Sequence, residues 1–212
     1  QVSPAANSIP NNQGFSAGSV SDDGTKVAIV TIPTTIYVGA YNFVNTVPAR
    51  IMVRNLADGS LVTLPTDNGN VAQGEVILGH LNARLSPDGR RIAFVSSSST
   101  LVGGDTNGQA DVFVRDLASG ATTLASSTSS GVAATLSVCC FQSYYKVEWA
   151  SNTLLQFAPD QPGSLGPRGE YVKNVDTGAL SLLLAATDGA TATLSFDASK
   201  LVLARLYGSG FD

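Results

Sequence analysis

One loop of the chain carries oxygen-bearing side chains at a spacing that could bind a metal ion. Asp105, Asn107 and Asp111 occupy positions 1, 3 and 7 of this loop. Carboxylate and amide oxygens are the ligands that calcium (Ca2+) prefers, and the spacing resembles the start of a calcium-binding loop. The glycine, however, stands at position 4 rather than 6, and position 12 is Asp116, which we expect inside a strand. The sequence therefore predicts either a calcium site or an Asx/Gly turn.

A second candidate for chemistry is a serine in the segment Gly14-Phe-Ser16-Ala-Gly18, which matches the G-x-S-x-G pattern of a serine nucleophile. That pattern works only at a strand-turn-helix corner, and we predict no helix after Ser16. His80 is the only histidine, so it forms neither a zinc cluster nor, without a placed nucleophile, a catalytic triad. Ser16 and His80 are therefore weak catalytic candidates, and we interpret them as a coincidental match and a structural or surface histidine.

The aromatic residues suggest a third kind of site, because seven of the 15 fall in two irregular segments. These seven are Tyr37, Tyr41, Phe43, Phe141, Tyr144, Tyr145 and Trp149. If exposed, Tyr37, Tyr41, Phe43, Tyr144, Tyr145 and Trp149 would form a stacking surface for a glycan or a partner protein. If buried, they would fill space where the fold is irregular, and the sequence leaves both interpretations open.

The composition favours strands and turns over helices. The chain has 212 residues, a formal net charge of −4, 21 Gly, and 13 Asp against 3 Glu. Asp and Gly favour turns, whereas Glu favours helices. The acidic balance argues against a nucleic-acid partner, which needs clustered Lys and Arg. No apolar run approaches the roughly 18 residues of a membrane span, so we expect no membrane insertion. We predict an all-β chain.

Two patterns repeat along the chain. The glycines Gly59, Gly120 and Gly178 recur every 58 to 61 residues, each with a basic residue five positions earlier: Arg54, Arg115 and Lys173. We interpret these three basic residues as packing or rim charges. An Asp-Gly-type turn precedes each strand pair, at Val20–Gly24, Leu85–Gly89 and Leu194–Ala198, and Leu136-Ser137 opens a degenerate copy. Each unit therefore predicts four antiparallel strands joined by two short turns and one long loop.

The second unit is the most specific. Its segments Leu85–Ser96 and Asp105–Leu117 resemble the TolB-type β-propeller repeat, which is common in exported bacterial proteins. The resemblance is moderate in the first unit and poor in the third. It implies a β-propeller of four-stranded blades, and it implies a fold rather than a reaction.

The units do not add up to a whole number of blades. We place them at roughly 15–69, 70–131 and 132–189, with an incomplete unit at 190–212. About three and a half to four blades would leave strand edges exposed. Either the first 14 residues complete a small four-bladed ring, or two chains share a ring of about seven blades as a homodimer, or the chain is a piece of a longer protein.

These observations lead to three functional hypotheses, the last of which is a structural subunit whose open edges assemble into larger arrays. The first is an exported module, secreted or periplasmic, that presents a rim or channel surface to a protein or glycan. The second is a calcium-dependent hydrolase of lactones or esters. It rests on a resemblance to the gluconolactonase and paraoxonase families, in which Asp, Asn and Glu bind calcium in the central channel. The sequence does not show that Glu75, Glu148 and Glu170 converge with the aspartates.

Overall fold

The computed structural model describes residues 15–16, 18–31, 34–38, 43–47, 50–64, 83–96, 98–109, 111–133, 147–159, 165–185, 190–195, 197 and 199–205. Within these ranges the regular structure consists of sixteen strands and contains no helix, so none of them holds a helix able to span a membrane. The predicted all-β class is confirmed. The strands form three four-stranded sheets and two two-stranded sheets, and every pair is antiparallel.

The first sheet contains an insertion that the sequence patterns did not predict. In spatial order its strands are β1 (Phe15–Ser16), β2 (Lys26–Thr31), β5 (Ile51–Asn55) and β6 (Leu61–Thr63). The connection from β2 to β5, which we expected to be a loop, contains the hairpin β3 (Thr34–Val38) and β4 (Phe43–Val47). Both segments are rich in Thr, Val and aromatic residues, which fit a pleated strand better than a loop.

The second and third sheets have the predicted four strands each. The second contains β7 (Ala83–Leu85), β8 (Arg91–Ser96), β9 (Asp111–Asp116) and β10 (Thr122–Leu124). The third contains β11 (Val147–Trp149), β12 (Leu154–Phe157), β13 (Gly169–Asn174) and β14 (Leu180–Ala185). The turn between β11 and β12 lies at Ser151. The prediction that the third copy of the turn pattern begins at Leu136-Ser137 is therefore wrong, because it places that turn too early in the sequence. Both of those residues lie outside the described ranges.

The fourth sheet consists of β15 (Ala190–Leu194) and β16 (Leu201–Arg205). The turn between them repeats the Ser-x-Asp arrangement of the first two sheets. The Ser195 hydroxyl donates a hydrogen bond to Asp197 at 2.6 Å and accepts one from the amide of Lys200 at 2.9 Å. Ser21 makes the same two bonds in the first sheet and Ser86 makes them in the second. The repeated Ser and Asp therefore satisfy the backbone of a tight turn, in which both side chains bond locally.

The second sheet is packed on both faces. Ile92, Phe94 and Phe113 contact the first sheet, and the Phe94 and Phe113 rings stack at 5.8 Å. The alternate residues of the same strands, such as Val95 and Val112, contact the third sheet. Because successive side chains of a strand point to opposite faces, a sheet covered on both sides needs apolar residues at every position. This accounts for the uninterrupted apolar run that starts at Ile92.

Polar contacts also join neighbouring sheets at corresponding positions. The Lys26 ammonium of the first sheet donates a hydrogen bond to the Gly89 carbonyl of the second at 3.0 Å. Arg91, which occupies the same position in the second sheet, donates to the Asn152 carbonyl at 3.1 Å and to Asp176 at 2.6 Å in the third. In the first two sheets, the basic residue after the Ser-x-Asp turn therefore bonds the sheet that follows.

The antiparallel pairing decides which loops lie at the same end of a sheet. Each four-stranded sheet has two ends at which its strands turn. At one end lie the connection between the second and third strands and the link to the next sheet. At the other end lie the Ser-x-Asp turns and the glycine turns. The Asp105 loop, between β8 and β9, therefore lies at the same end of the sheet as the link that follows β10.

Candidate functional site

Two hydrogen bonds within the protein hold the Asp111 carboxylate in place. It is the first residue of β9, opposite Ser96, and it is completely buried. The Ser126 hydroxyl donates to one carboxylate oxygen at 2.5 Å, and the side-chain amide of Asn107 donates to the other at 2.8 Å. Burial raises the pKa of Asp111 to about 6, although these two hydrogen bonds oppose the shift.

Asp105 lies in the same cluster but has no comparable support. It is only 4% exposed, and neither of its carboxylate oxygens makes a hydrogen bond within the described residues. Burial raises the pKa of Asp105, and the backbone N–H of Asn107 only partly opposes that rise. Repulsion from the Asp105 carboxylate also raises the pKa of Asp111. Because Asn107 bonds Asp111 and follows Asp105 by two residues, the three residues predicted as calcium ligands belong to one cluster that contains two buried carboxylates.

The loop forms an Asx/Gly turn, which the sequence predicted as the alternative to a calcium site. The Asn107 side-chain oxygen accepts a hydrogen bond from the amide of Gln109 at 2.8 Å, and Gly108 has a φ of 65°. An Asx turn of this kind organises the loop, but it does not account for the two buried carboxylates. The turn and a cation site are therefore compatible with each other.

The carboxylate pair is specific to the second unit. The residue that pairs with the end of β2, as Asp111 pairs with the end of β8, is Arg50 in the first unit. In the third unit the corresponding residue is Gly169, which stands two positions before Tyr171. A feature required by every sheet would recur in the other units, so the pair has a role particular to this loop.

The cluster offers oxygen atoms only. Among the described residues, no group of three or more His, Cys, Asp and Glu side chains is placed to hold a metal ion. Any cation here would therefore use the two carboxylates together with amide, hydroxyl, carbonyl or water oxygens, which is the chemistry of calcium rather than of zinc.

Comparison with known proteins identifies the architecture. No family model and no curated protein matches the chain. Among solved structures, it is similar to the β-propeller domain of the Trilobed protease from Pyrococcus furiosus, with 13% identity and a TM-score of 0.54 over 90% of this chain and 48% of that one. It is also similar to a prolyl endopeptidase, with 12% identity and a TM-score of 0.50 over 89% of this chain and 24% of that one.

The chain has a β-propeller fold. The three four-stranded sheets are blades, and β15–β16 is part of a fourth. The chain spans about half the length of the Pyrococcus propeller domain. A TolB protein from Agrobacterium tumefaciens also matches, with 14% identity over 94% of this chain and 73% of that one, but its TM-score is 0.35. The propeller prediction is thus confirmed, whereas the TolB-type family stays a prediction.

The two weak catalytic candidates are not brought together by the described structure. Ser16 lies in β1, where its backbone pairs with Val30 in β2 of the first blade. The segment after it leads to β2 and not to a helix. His80 lies outside the described residues.

Only one member of the predicted aromatic surface has a described side chain. Trp149 is partly buried, packs against the core between the second and third blades, and donates its indole N–H to the Arg84 carbonyl at 2.9 Å. Trp149 is therefore a joint between blades. The other members are outside this description: Tyr37 and Phe43 lie in strands whose side chains are not described, and Tyr41, Tyr144 and Tyr145 lie outside the described residues.

Two buried polar side chains, Lys173 and Gln156, join one blade to the next. The Lys173 ammonium donates to the carbonyls of Ser127 and Thr128, at 2.8 and 3.0 Å, in the link after the second blade. This agrees with the interpretation of Lys173 as a packing residue. Gln156 joins the third blade to β15. In the sequence, Gln156 stands out only as a polar residue in an apolar strand, and this does not indicate which residues it bonds.

Proposed function

We propose that this chain is a non-catalytic β-propeller module that binds another protein through the uncovered sheet β15–β16. The observation that supports the proposal is an apolar strand exposed at a position that the second blade buries. Val202 is 63% exposed and Leu203 is 60% exposed. In the second blade the corresponding residues, Ala93 and Phe94, are completely buried.

The backbone of β16 is a second part of this surface. In the three complete blades, a third strand pairs with the second, and among the described residues no third strand pairs with β16. Unpaired backbone groups and apolar side chains along one strand form a surface suited to another strand or blade. A polar ligand would leave this apolar surface uncovered.

The charged residue at this position supports the same interpretation. Lys200 follows the Ser-x-Asp turn of the fourth sheet, as Lys26 and Arg91 follow the turns of the first two blades. Lys26 and Arg91 donate hydrogen bonds to the next blade. Lys200 is exposed, although the turn before it matches those of the first two blades. A partner with carbonyl groups at a tight turn would complete its hydrogen bonds.

A second copy of the chain is the partner that fits best. The chain corresponds to 48% of one propeller domain, so two copies supply about as many strands as one such ring. A glycan is less well supported, because Trp149, the described aromatic residue of the predicted stacking surface, is engaged between blades.

The solution mass tests the proposal. Wild-type chain should elute as a dimer in size-exclusion chromatography with light scattering, and Val202→Lys should shift it to a monomer because the new charge would be buried in the interface. Val62→Lys is the matched control, since Val62 is a valine 51% exposed on β6, and it should leave the dimer intact. A wild type that stays monomeric at every concentration would eliminate the second copy as partner.

The proposal also places the protein outside the cytoplasm, secreted or periplasmic. The support is compositional: only 13% of the residues are charged, and the chain is rich in Ser, Thr, Asn and Gly. Fractionation of the native host followed by detection of the chain tests this location, and recovery only from the cytoplasm would contradict it.

A further inference from the structure

Asp105 is an unusual residue for the interior of a protein. Of the described residues, only Thr63 and Asp105 have buried side-chain oxygens without a hydrogen-bond partner, and in Asp105 both carboxylate oxygens lack one. An ionised carboxylate that loses its water must be neutralised by a proton, a basic group or a metal ion.

No basic side chain supplies that neutralisation. Within the described part of the chain the ion pairs are Arg90–Asp116 and Arg91–Asp176, and neither includes Asp105 or Asp111. The side chain of Asn107, two residues after Asp105, instead bonds the Asp111 carboxylate, so the two buried carboxylates belong to one loop cluster. Two neighbouring buried carboxylates with no basic partner form a site of net charge −2, which matches a divalent cation.

The neighbours of Asp111 hold it in a defined orientation and still leave it free to bind an ion. Each of its carboxylate oxygens accepts one hydrogen bond, from Ser126 or from Asn107. A carboxylate oxygen has a second lone pair, so both oxygens keep acceptor capacity. Ser126 and Asn107 are thus positioning residues for Asp111.

We propose that Asp105 and Asp111 bind a calcium ion. Asn107 contributes through its side-chain oxygen or through its bond to Asp111, and backbone carbonyls or water complete the coordination, because calcium accepts six to eight oxygen ligands in flexible geometry. With two carboxylates the affinity falls in the weak range of extracellular modules, about 10⁻⁴ to 10⁻³ M. The ion ties the loop 98–109 to the start of β9 and, through Ser126, to the link after β10.

Thermal unfolding of the full chain with calcium chloride as the sole added ligand tests this site. Relative to chelator, about 10 mM calcium should raise the melting temperature of the wild type by about 3 to 11 °C. Asp105→Asn should abolish that rise. In chelator the same variant should melt at or above the wild-type temperature, because it removes an unpaired buried charge.

The opposite effects of Asp105→Asn in calcium and in chelator separate a ligand from a merely structural residue. Asp22→Asn, in an exposed turn, is the matched control and should keep the full calcium response. Isothermal titration with calcium chloride gives a second readout that does not depend on unfolding. A wild type with no response to calcium, an unchanged response in Asp105→Asn, or equal destabilisation of that variant in both conditions would each overturn the proposal.

Discussion

The side-chain amide of Gln156 donates a hydrogen bond to the backbone carbonyl of Ala192. Gln156 lies in β12 of the third blade and Ala192 in β15 of the fourth sheet, and both are buried. The Gln156 side-chain oxygen also accepts a hydrogen bond from the amide of Leu194 at 3.2 Å. One side chain thus satisfies two backbone groups of the neighbouring sheet, as a strand would do.

Replacing Gln156 with Leu should loosen the fourth sheet without unfolding the other blades. The variant removes the hydrogen bonds that Gln156 makes to Ala192, Leu194 and Glu170 in the interior, and their loss costs about 1–3 kcal/mol. Hydrogen exchange at β15 and β16 should accelerate, while exchange in the second blade should not change. Equal protection in both proteins would show that the hydrophobic contacts alone hold this sheet.

Arg91→Ala should destabilise the fold more than Arg90→Ala. The Arg91 side chain is 16% exposed and bonds two groups of the next blade, whereas that of Arg90 is 62% exposed and pairs with Asp116 of its own blade. Exposed pairs contribute about 0–1 kcal/mol. Because Asp176 is half exposed, we expect a loss of about 1–2 kcal/mol for Arg91→Ala. Urea unfolding measures the difference, and equal losses would contradict it.

Gly89→Ala should cost more than Gly24→Ala. Both glycines have positive φ, 62° and 68°, so alanine is strained by about 1–2 kcal/mol at either position. At Gly24 an added Cβ meets no atom within 4 Å, but at Gly89 it lies 3.1 Å from Ser21 Cβ in the first blade. Urea unfolding of the two variants isolates the additional cost of crowding between blades, and equal values would show that the blades shift apart freely.

The Ser-x-Asp turn should lower the pKa of its aspartate in solution. Hydrogen bonds from Ser21 and then Thr25 lower the pKa of Asp23 to about 2. Since the folded pKa lies below the unfolded value, the associated stability is present above pH 4 and is lost as the pH falls towards 2. Ser21→Ala should raise the pKa, as measured by carboxyl NMR titration. Ser60→Ala, which affects Asp58, should leave Asp23 unchanged.

The hydrolase hypothesis predicts an activity that our proposed function does not. We expect no turnover above background on a panel of lactones and esters, with or without calcium. Hydrolysis that requires calcium and disappears in Asp105→Asn would instead favour the enzyme. Activity that persists in Ser16→Ala would eliminate the serine-nucleophile pattern.

Part of the fold is predictable from the sequence because it depends on neighbouring residues. The Ser-x-Asp turn at Ser86 and the glycine turn at Gly120 satisfy their own backbone within a few positions. Four strands per unit follow from the spacing of such turns. The uninterrupted apolar run from Ile92 to Val95 likewise indicates a sheet covered on both faces.

The sequence by itself therefore determined the repeated blade and brought Asp105, Asn107 and Asp111 into one candidate loop. Tertiary structure decided what no spacing encodes: that Ser126 holds Asp111, that Gln156 reaches Ala192, and that Asp105 is buried with no hydrogen-bond partner among the described residues. These contacts join residues of different strands or blades. Their formation depends on how whole sheets pack together, and burial is a property of that packing rather than of any short segment.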